Sequence, residues 1–575
     1  MKNEITINDA FKTFTYDQDK LFSPEETIRK LKEKLKTIDL DILEEAFRID
    51  NGRLDIPIYF SRCGRDAAAV IGTRKQMGKG GTVQQSEASA VMELVERFSF
   101  FSFINHPANF ILETYTHLKD KALSFDMIAK SVHDNSAELE ISRKIFESIP
   151  LKWTMAYNLT QKKEVLIPFD WFYAINEFNG PSAGNCVEEA ISQGICEVIE
   201  RHTSSIVSQN QLHVPGIRIE SATDPLVVEM IHKYKKNGIK LYFSDFSLNT
   251  GIPSVGVLAY DPATFPKTSE IVWTAGTTPN PQKALSRGLT EVAQLAGDFN
   301  TGSHYVASGL PKFKNLEDAR YITHPEKIVD ITDLADLSNP NIKIEIENLL
   351  AALKAIYFDV ILINTMHPLL GVPAFYTIIP GAHFRERALG TSVAMFSAKL
   401  ISEKYPPKVA IAELNKIEKM LPGKYFTQFY LGSCYLTQDN PKTALTHFEA
   451  ALDRNPTIQD IPSIYSYMGV CLKDMGQFGN ALKVLEKGEP YDKERTDIYN
   501  LMGFCHFKLG DHEKAIESFQ RVIELNPSSA IDYANIASNY RDLGNTEKAI
   551  YYYKTALAID PSITFAQENL AKLLE

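Results

Sequence analysis

Four polar side chains recur at regular spacing along residues 182–202. Glu189, Gln193, Glu197 and Glu200 follow one another at spacings of 4, 4 and 3, which puts them on one face of a helix. The other faces carry Ala190, Ile191, Ile195, Val198 and Ile199, and a helix that is apolar nearly all round is usually buried. No Lys is interleaved with the carboxylates. Buried carboxylates must be paired, protonated or bound to metal. An oxygen-only donor set suits Mg²⁺, which takes carboxylates, waters and substrate phosphates. The competing reading is a solvated acidic face, although exposed acidic helices normally interleave Lys or Arg for i,i+4 pairing.

Two further helices are expected to share this layout. One spans residues 84–103, follows Gly78-Lys79-Gly80-Gly81, and carries Glu93 and Glu96 at i,i+3 among Met92, Leu94 and Val95. The other spans 282–298, follows a turn-rich loop over 274–281, and carries Arg287, Glu291 and Gln294 at spacings of 4 and 3. The central helix is itself opened by a Gly184-Asn185 turn. Three helices, each behind a Gly-containing loop and each with a polar stripe, point to one site built by convergence. Around them, Ser23, Pro24 and Glu26 form a capping-box signature for a helix running to Leu40. Residues 55–62, 153–173, 239–259, 356–363 and 374–380 read as strands, with breaks at Gly251 and Pro253.

Near residue 400 the pattern changes to a tetratricopeptide repeat. The small position is Gly432, Gly469, Gly503 and Ala537, and the alanine that follows is Ala444, Ala481, Ala515 and Ala549. The large apolar position is Phe448, Leu485, Phe519 and Tyr553; the closing proline is Pro456, Pro527 and Pro561, missing only from the second repeat. Residues 564–574 read as a capping helix. Cys434, Cys471 and Cys505 occupy one position in three successive repeats, which suits a small buried packing residue better than a metal or redox site. The expected division is a catalytic domain over 1–395, a helical linker over 396–424, and four repeats with a cap over 425–575.

The 575 residues carry a formal charge of −11 and no long basic tract, which argues against a nucleic-acid footprint. The opening residues have no apolar core for a signal peptide. The most apolar segment, 359–381, contains Asp359, Asn364, His367 and three prolines, too interrupted for a membrane span. Six cysteines in so long a chain do not make a disulfide framework. A cytoplasmic protein without membrane or nucleic-acid partners is expected.

Over roughly residues 15–395 the chain resembles the YcaO family. The resemblance rests on Gly78-Lys79-Gly80 with Glu93, Glu96 and Arg97; on Ser182-Ala183-Gly184-Asn185 with Glu189, Gln193, Glu197, Glu200 and Arg201; and on Arg287 with Glu291. Asp19-Lys20 and the segment 23–27 resemble the family's N-terminal motif. The fold implied is an α+β YcaO-like catalytic domain, here followed by an all-α tetratricopeptide superhelix. The activity implied is ATP- and Mg²⁺-dependent activation of a backbone amide, whose oxygen attacks the γ-phosphate before a nucleophile replaces it. A neighbouring Cys, Ser or Thr side chain as nucleophile gives an azoline, and external sulfide or a sulfur carrier gives a thioamide. The resemblance implies Glu93, Glu96, Glu189, Glu197 and Glu200 as metal ligands, directly or through water. It implies Gln193 as an orienting residue, Arg287 and Glu291 on the nucleotide, and Asn185 on phosphates or ribose. Lys20 and Thr27 fall at the nucleotide rim. Lys79 reaches a phosphate or is a solvated loop lysine. Glu189, Gln193, Glu197 and Arg287 are the expected catalytic residues. Arg97 and Arg201 directly follow glutamates of the stripe, so they are expected to point away from it as structural ion-pair partners.

Azoline-forming members usually end in a proline-rich tail that contributes to the active site, whereas residues 567–575 here contain none. The expectation therefore shifts to thioamidation of a protein or peptide substrate with a sulfur-delivering partner, or to an accessory role in ribosomal-protein methylthiolation. An azoline-forming cyclodehydratase, and an ATP-binding scaffold acting through its repeats, remain the alternatives. No P-loop pattern is present, and Cys186, Cys196, His202 and His383 do not form a nucleophile constellation. The repeats are expected to recruit a protein partner or to form a homodimer.

Overall fold

The three polar-striped helices are each launched in the same way, from a strand through a link of three residues. Strand Lys75–Lys79 leads through Gly80, Gly81 and Thr82 into helix Val83–Ile104. Strand Pro181–Ala183 leads through Gly184, Asn185 and Cys186 into helix Val187–Gln209. Strand Val272–Thr277 leads through Thr278, Pro279 and Asn280 into helix Pro281–Ala296. The last residue of each link caps its helix. Thr82 Oγ1 accepts from the Gln85 amide at 3.2 Å, Asn280 Oδ1 accepts from Gln282 and Lys283 at 2.9 and 3.2 Å, and Cys186 Sγ accepts from Glu189 at 3.5 Å. Such caps satisfy amide donors that the first helical turn leaves free. Much of what reads as Gly-containing loop is therefore strand: Gly78, Lys79, Ser182 and residues 274–277 all lie in β-structure.

These observations come from a computed structural model, which describes residues 4–72, 75–302, 304–305, 307, 309–384 and 391–575. The first three residues of the opening segment, read above for a leader, lie outside the described residues. The described chain divides into two compact units, one of residues 1–139 and 147–392, the other of 140–146 and 393–575.

The first unit is a mixed α/β domain with three sheets among its described residues. One is a three-stranded antiparallel sheet ending in Lys75–Lys79. A five-stranded sheet has Val272–Thr277 at its edge, paired antiparallel with Ser254–Tyr260. A six-stranded antiparallel sheet has Pro181–Ala183 at its edge, paired with Ala374–Ile378. Apolar faces of the site helices seat on these sheets. Leu285, Leu289 and Val292 share a core with Val255 and Val257, and Val91, Leu94 and Val95 share another with Leu31 and Cys63.

The second site helix lies so close to its sheet that a side chain has no room at the contact. A Cβ on Gly194 would stand 2.3 Å from Thr377 Oγ1 and 2.8 Å from Ser182 Oγ. The third helix repeats the arrangement from the sheet side: a Cβ on Gly276 would stand 2.2 Å from the Ala284 carbonyl oxygen. Real atoms do not approach so closely, so both positions fix helix height above the sheet.

Three elements differ from expectation. The helix at Ser23 stops at Leu35, and its capping box is half made: Ser23 Oγ accepts from the Glu26 amide, while the Glu26 carboxylate turns to Lys30 at 3.1 Å. The apolar run over 153–173 is two strands, Leu151–Asn158 and Lys163–Pro168, followed by the helix Phe169–Asn176, since continuous apolar runs do not distinguish buried strand from buried helix. Residues 356–360 precede strand Ile361–Asn364 rather than belonging to it.

The second unit holds the repeats as four helix pairs, from Tyr425–Thr437 with Pro441–Leu452 to Ala530–Asp542 with Thr546–Ile559, and then the cap Thr564–Leu574. Small and large positions meet as the repeat pattern requires: Phe448, Leu485 and Phe519 fill the space over Gly432, Gly469 and Gly503 at 2.5–2.8 Å from the Cβ positions. Cys434, Cys471 and Cys505 are buried and unpaired with one another, the packing role expected of them. The stretch expected as linker forms two helices, Val393–Lys404 and Pro407–Met420, that belong to this unit.

Candidate active site

The three helices wall one cavity of about 570 Å³. The second helix presents Glu189, Gln193, Glu197 and Arg201, each four residues from the last. The first presents Glu93, Glu96 and Arg97, and the third Arg287 and Glu291. Lys20, Thr27, Lys79 and Asn185 complete the set of expected residues in the wall. All the expected positions but one are thus brought together.

The exception is Glu200. The cavity follows the i+4 ridge of its helix, which is inclined to the axis, and so takes Arg201 in place of Glu200. Glu200 is 2 % exposed and turned toward the third helix: its Oε2 accepts from Arg287 Nε at 3.0 Å and from the Thr277 amide at 3.2 Å. The expectation for Arg97 and Arg201 is corrected in the same way. They are ion-pair partners, with Arg97 Nε 3.6 Å from Glu96 and Arg201 Nη2 4.0 Å from Glu200, but both also line the cavity. The 4-residue spacings Glu93 to Arg97 and Glu197 to Arg201 carried that signal.

Among the described residues the cavity contains five carboxylates, Glu93, Glu96, Glu189, Glu197 and Glu291, and five cations, Lys20, Lys79, Arg97, Arg201 and Arg287. Lys79 is no solvated loop lysine: its Nζ lies 2.6 Å from Glu291 Oε2. Glu189 accepts from the Asn185 amide at 3.0 Å, from Asn185 Nδ2 at 3.1 Å and from the Leu21 amide, with Lys20 Nζ 4.0 Å away. Glu197 Oε2 accepts from the Gly180 amide at 3.3 Å.

Burial holds the carboxyls of Glu93, Glu96 and Glu197 above the ordinary glutamate range, and for Glu96 neighbouring Glu197 and Glu93 add to the effect while Arg97 opposes it. Glu291 goes the other way: burial disfavours its charge, but Lys79 and then Arg201 outweigh it and hold the carboxyl below the ordinary value. The sign follows by linkage. Above the ordinary glutamate value the unfolded chain has released protons that Glu93, Glu96 and Glu197 still hold when folded. Their contribution is fully present below that value and is lost as pH rises through the raised ones. Urea unfolding from mildly acidic to neutral pH is expected to show this loss, and Glu197→Gln is expected to flatten it; an unchanged slope in the variant would count against Glu197 as a source.

Arg287 is held by Glu200 on another helix, not by Glu291 one turn along. An exposed i,i+4 pair is worth only about 0.3–0.5 kcal/mol. Arg287→Ala is expected to cost more than that in stability, because it strands the buried Glu200, and to weaken nucleotide binding about tenfold or more. A small stability change with normal nucleotide affinity would count against both roles of Arg287.

The thiols are not suited to nucleophilic attack. Burial pushes Cys186 and Cys196 up to about 12, and no cysteine lines the cavity. His202 packs against His383, whose amide donates to His202 Nδ1 at 3.0 Å. Burial depresses His202 to about 3, so it is a neutral core residue.

The donor set fits an Mg²⁺–nucleotide pair, with carboxylates for the ion, cations for phosphates, and a volume in the range of ligand pockets. The sequence model of the YcaO family, described as a cyclodehydratase binding ATP and Mg²⁺, matches residues 77–383, more than half of the chain. The chain belongs to the YcaO family. It is ATP-dependent as the family is, with ATP and Mg²⁺ as its cofactors. A tetratricopeptide model matches residues 494–562. An uncharacterized protein of Methanothermobacter thermautotrophicus is 27% identical over 385 residues, 62% of this chain and 93% of that one. The ribosomal protein S12 methylthiotransferase accessory factor YcaO of Escherichia coli is 27% identical over 320 residues, 51% of this chain and 52% of that one, so the match spans about half of that relative's length. A heterocyclase solved in complex with substrate and cofactor shares the fold, with a TM-score of 0.52 at 20% identity over 66% of this chain and 55% of that one. Among the described residues, no helix is long and apolar enough to cross a membrane.

Proposed function

We propose that this YcaO protein uses Mg²⁺ and ATP to activate a backbone amide of a protein or peptide substrate for replacement of the amide oxygen by external sulfur. The observation that carries this reading is the co-location, among the described residues, of five carboxylates and five cations in one cavity. ATP supplies the phosphoryl group that turns the amide oxygen into a leaving group. Such transfer asks the protein for positioning and charge neutralisation more than for covalent chemistry. Among the described residues no three His, Cys, Asp or Glu side chains already converge as a metal cluster. Mg²⁺ characteristically takes one or two carboxylates and fills its octahedron with water and phosphate oxygens. Glu93, Glu96, Glu189 and Glu197 are the carboxylates that would hold it. Lys20, Lys79, Arg97, Arg201 and Arg287 would neutralise the phosphates, and Gln193, between Glu189 and Glu197, would orient the amide. Glu200 serves by holding Arg287. The lack of a cysteine in the cavity wall supports a sulfur source outside this chain, and the repeats would bring in the protein that carries the substrate or the sulfur.

ATP consumption is expected to need Mg²⁺, to stop in EDTA, and to rise on adding the protein substrate. Intact-mass analysis of cellular proteins with and without this chain then separates the products: a sulfur-for-oxygen gain supports thioamidation, and loss of water supports an azoline. A second reading, an accessory factor whose output is assembly, is favoured by the name of the Escherichia coli relative. Nucleotide binding without substrate-stimulated turnover would select it.

A further inference from the structure

We propose that Lys12 is a positioning residue of the nucleotide cavity, acting through Lys20; this rests on reading that cavity as the Mg²⁺–ATP site. Residues 12–20 form a small hairpin in which the Lys20 amide donates to the Phe14 carbonyl at 2.9 Å and the Phe14 amide donates back at 3.2 Å. This hairpin carries Gln18 and Lys20 into the cavity wall, yet it has almost no apolar anchor. None of the apolar residues among 11–20 is buried, and Phe11 and Tyr16 are 60 % and 53 % exposed. Beside the hairpin lies a second, open cleft of about 60 Å³, lined by Asp19, Lys20, Glu189, Gln193 and Glu345. A segment flanked by solvent and by an open cleft has little packing to hold it in place.

Polar struts hold it instead. The chain just before the hairpin is stapled to the start of helix Ile342–Ala355: the Ile342 amide donates to the Ala10 carbonyl at 2.8 Å, the Ala10 amide to Asn341 Oδ1 at 3.0 Å, and the Lys12 amide to the Pro340 carbonyl at 2.9 Å. From that fixed backbone the Lys12 side chain, only 4 % exposed, bridges Glu345 on the helix and Asp19 Oδ2 at 2.7 Å. Asp19 adjoins Lys20, whose ammonium faces Glu189, and Leu21, whose amide donates to the same carboxylate. Lys12 thus ties the root of the hairpin to the scaffold. The tip is tied separately, Asp17 Oδ2 accepting from the Thr82 amide at 2.9 Å and Lys283 Nζ donating to the Tyr16 carbonyl at 2.9 Å. Without Lys12 the tip stays in place, while Lys20 loses its register against the nucleotide.

The test is calorimetric titration of the full chain with Mg²⁺ and the non-hydrolysable analogue AMPPCP. Lys12→Met is expected to weaken binding about tenfold, and Lys12→Arg, which can donate to both carboxylates, to restore it to within about threefold. The deciding measurement is a double-mutant cycle with Lys20→Met. If Lys12 acts through Lys20, Lys12→Met adds less than about twofold in that background. Should Lys12→Met fail to fold, Asp19→Asn removes the other end of the strut and carries the same expectation. Wild-type affinity in Lys12→Met, or losses that multiply in the double variant, would overturn the proposal. Failure of the unmodified chain to bind Mg²⁺–AMPPCP would instead overturn the reading of the cavity.

Discussion

Glu197→Gln is expected to abolish substrate-stimulated ATP turnover, by about 10²–10³-fold or more, and to leave the fold intact. Glu197 sits mid-cavity on the i+4 ridge, between Gln193 and Arg201, and the amide keeps its volume while removing its charge. The burial of Glu197 makes the loss of activity separable from a loss of stability. Burial already disfavours the Glu197 charge in the folded chain, with Glu200 adding to the effect and Arg201, Arg97 and Arg287 opposing it. Its removal therefore relieves the fold of a cost. Thermal unfolding of the variant without nucleotide is expected at or slightly above the parent temperature, and Mg²⁺-dependent stabilisation by nucleotide is expected to shrink. Near-normal turnover, or a variant that unfolds far below the parent, would remove Glu197 from the metal-binding role.

Gly194→Ala should disable the site without touching it. The added methyl would stand 2.3 Å from Thr377 Oγ1 and 2.8 Å from Ser182 Oγ, so helix Val187–Gln209 must lift from its sheet or the strands must yield. Overpacking of this kind costs about 1–3 kcal/mol. The same helix carries Glu189, Gln193, Glu197 and Arg201, and a shift of about 1 Å in catalytic geometry can cost about 10²-fold in rate. A second substitution tests the mechanism. Among the described residues Thr377 Oγ1 has no hydrogen-bond partner, so Thr377→Ala alone is expected to be mild, and it removes the nearer clashing atom. Gly194→Ala with Thr377→Ala is therefore expected to recover most of the stability and activity lost by Gly194→Ala. No rescue, with Ser182 left in place, would mean that the hydroxyl of Ser182 or the helix backbone sets the height instead.

What the sequence determined by itself were the features with a local physical cause. Helix periodicity placed Glu189, Gln193 and Glu197 on one face, and the same rule placed Glu93 beside Glu96 and Arg287 beside Glu291. The repeats were equally legible, because a small residue on one helix must meet a large one on the next at a fixed spacing, as Gly432 and Phe448 do. Tertiary structure alone decided where charges from different helices meet. The acidic stripe, bare of Lys along its own helix, is balanced by Lys20, Lys79, Arg97 and Arg287 from other elements. Glu200, equally plausible on the stripe, is taken by Arg287 because the packed ridge follows i+4 rather than i+3. Nor could spacing show that Lys12 reaches Asp19 and Glu345, the latter more than three hundred residues away along the chain. Such contacts depend on which surfaces the sheets bring together, and helix periodicity carries no information about that.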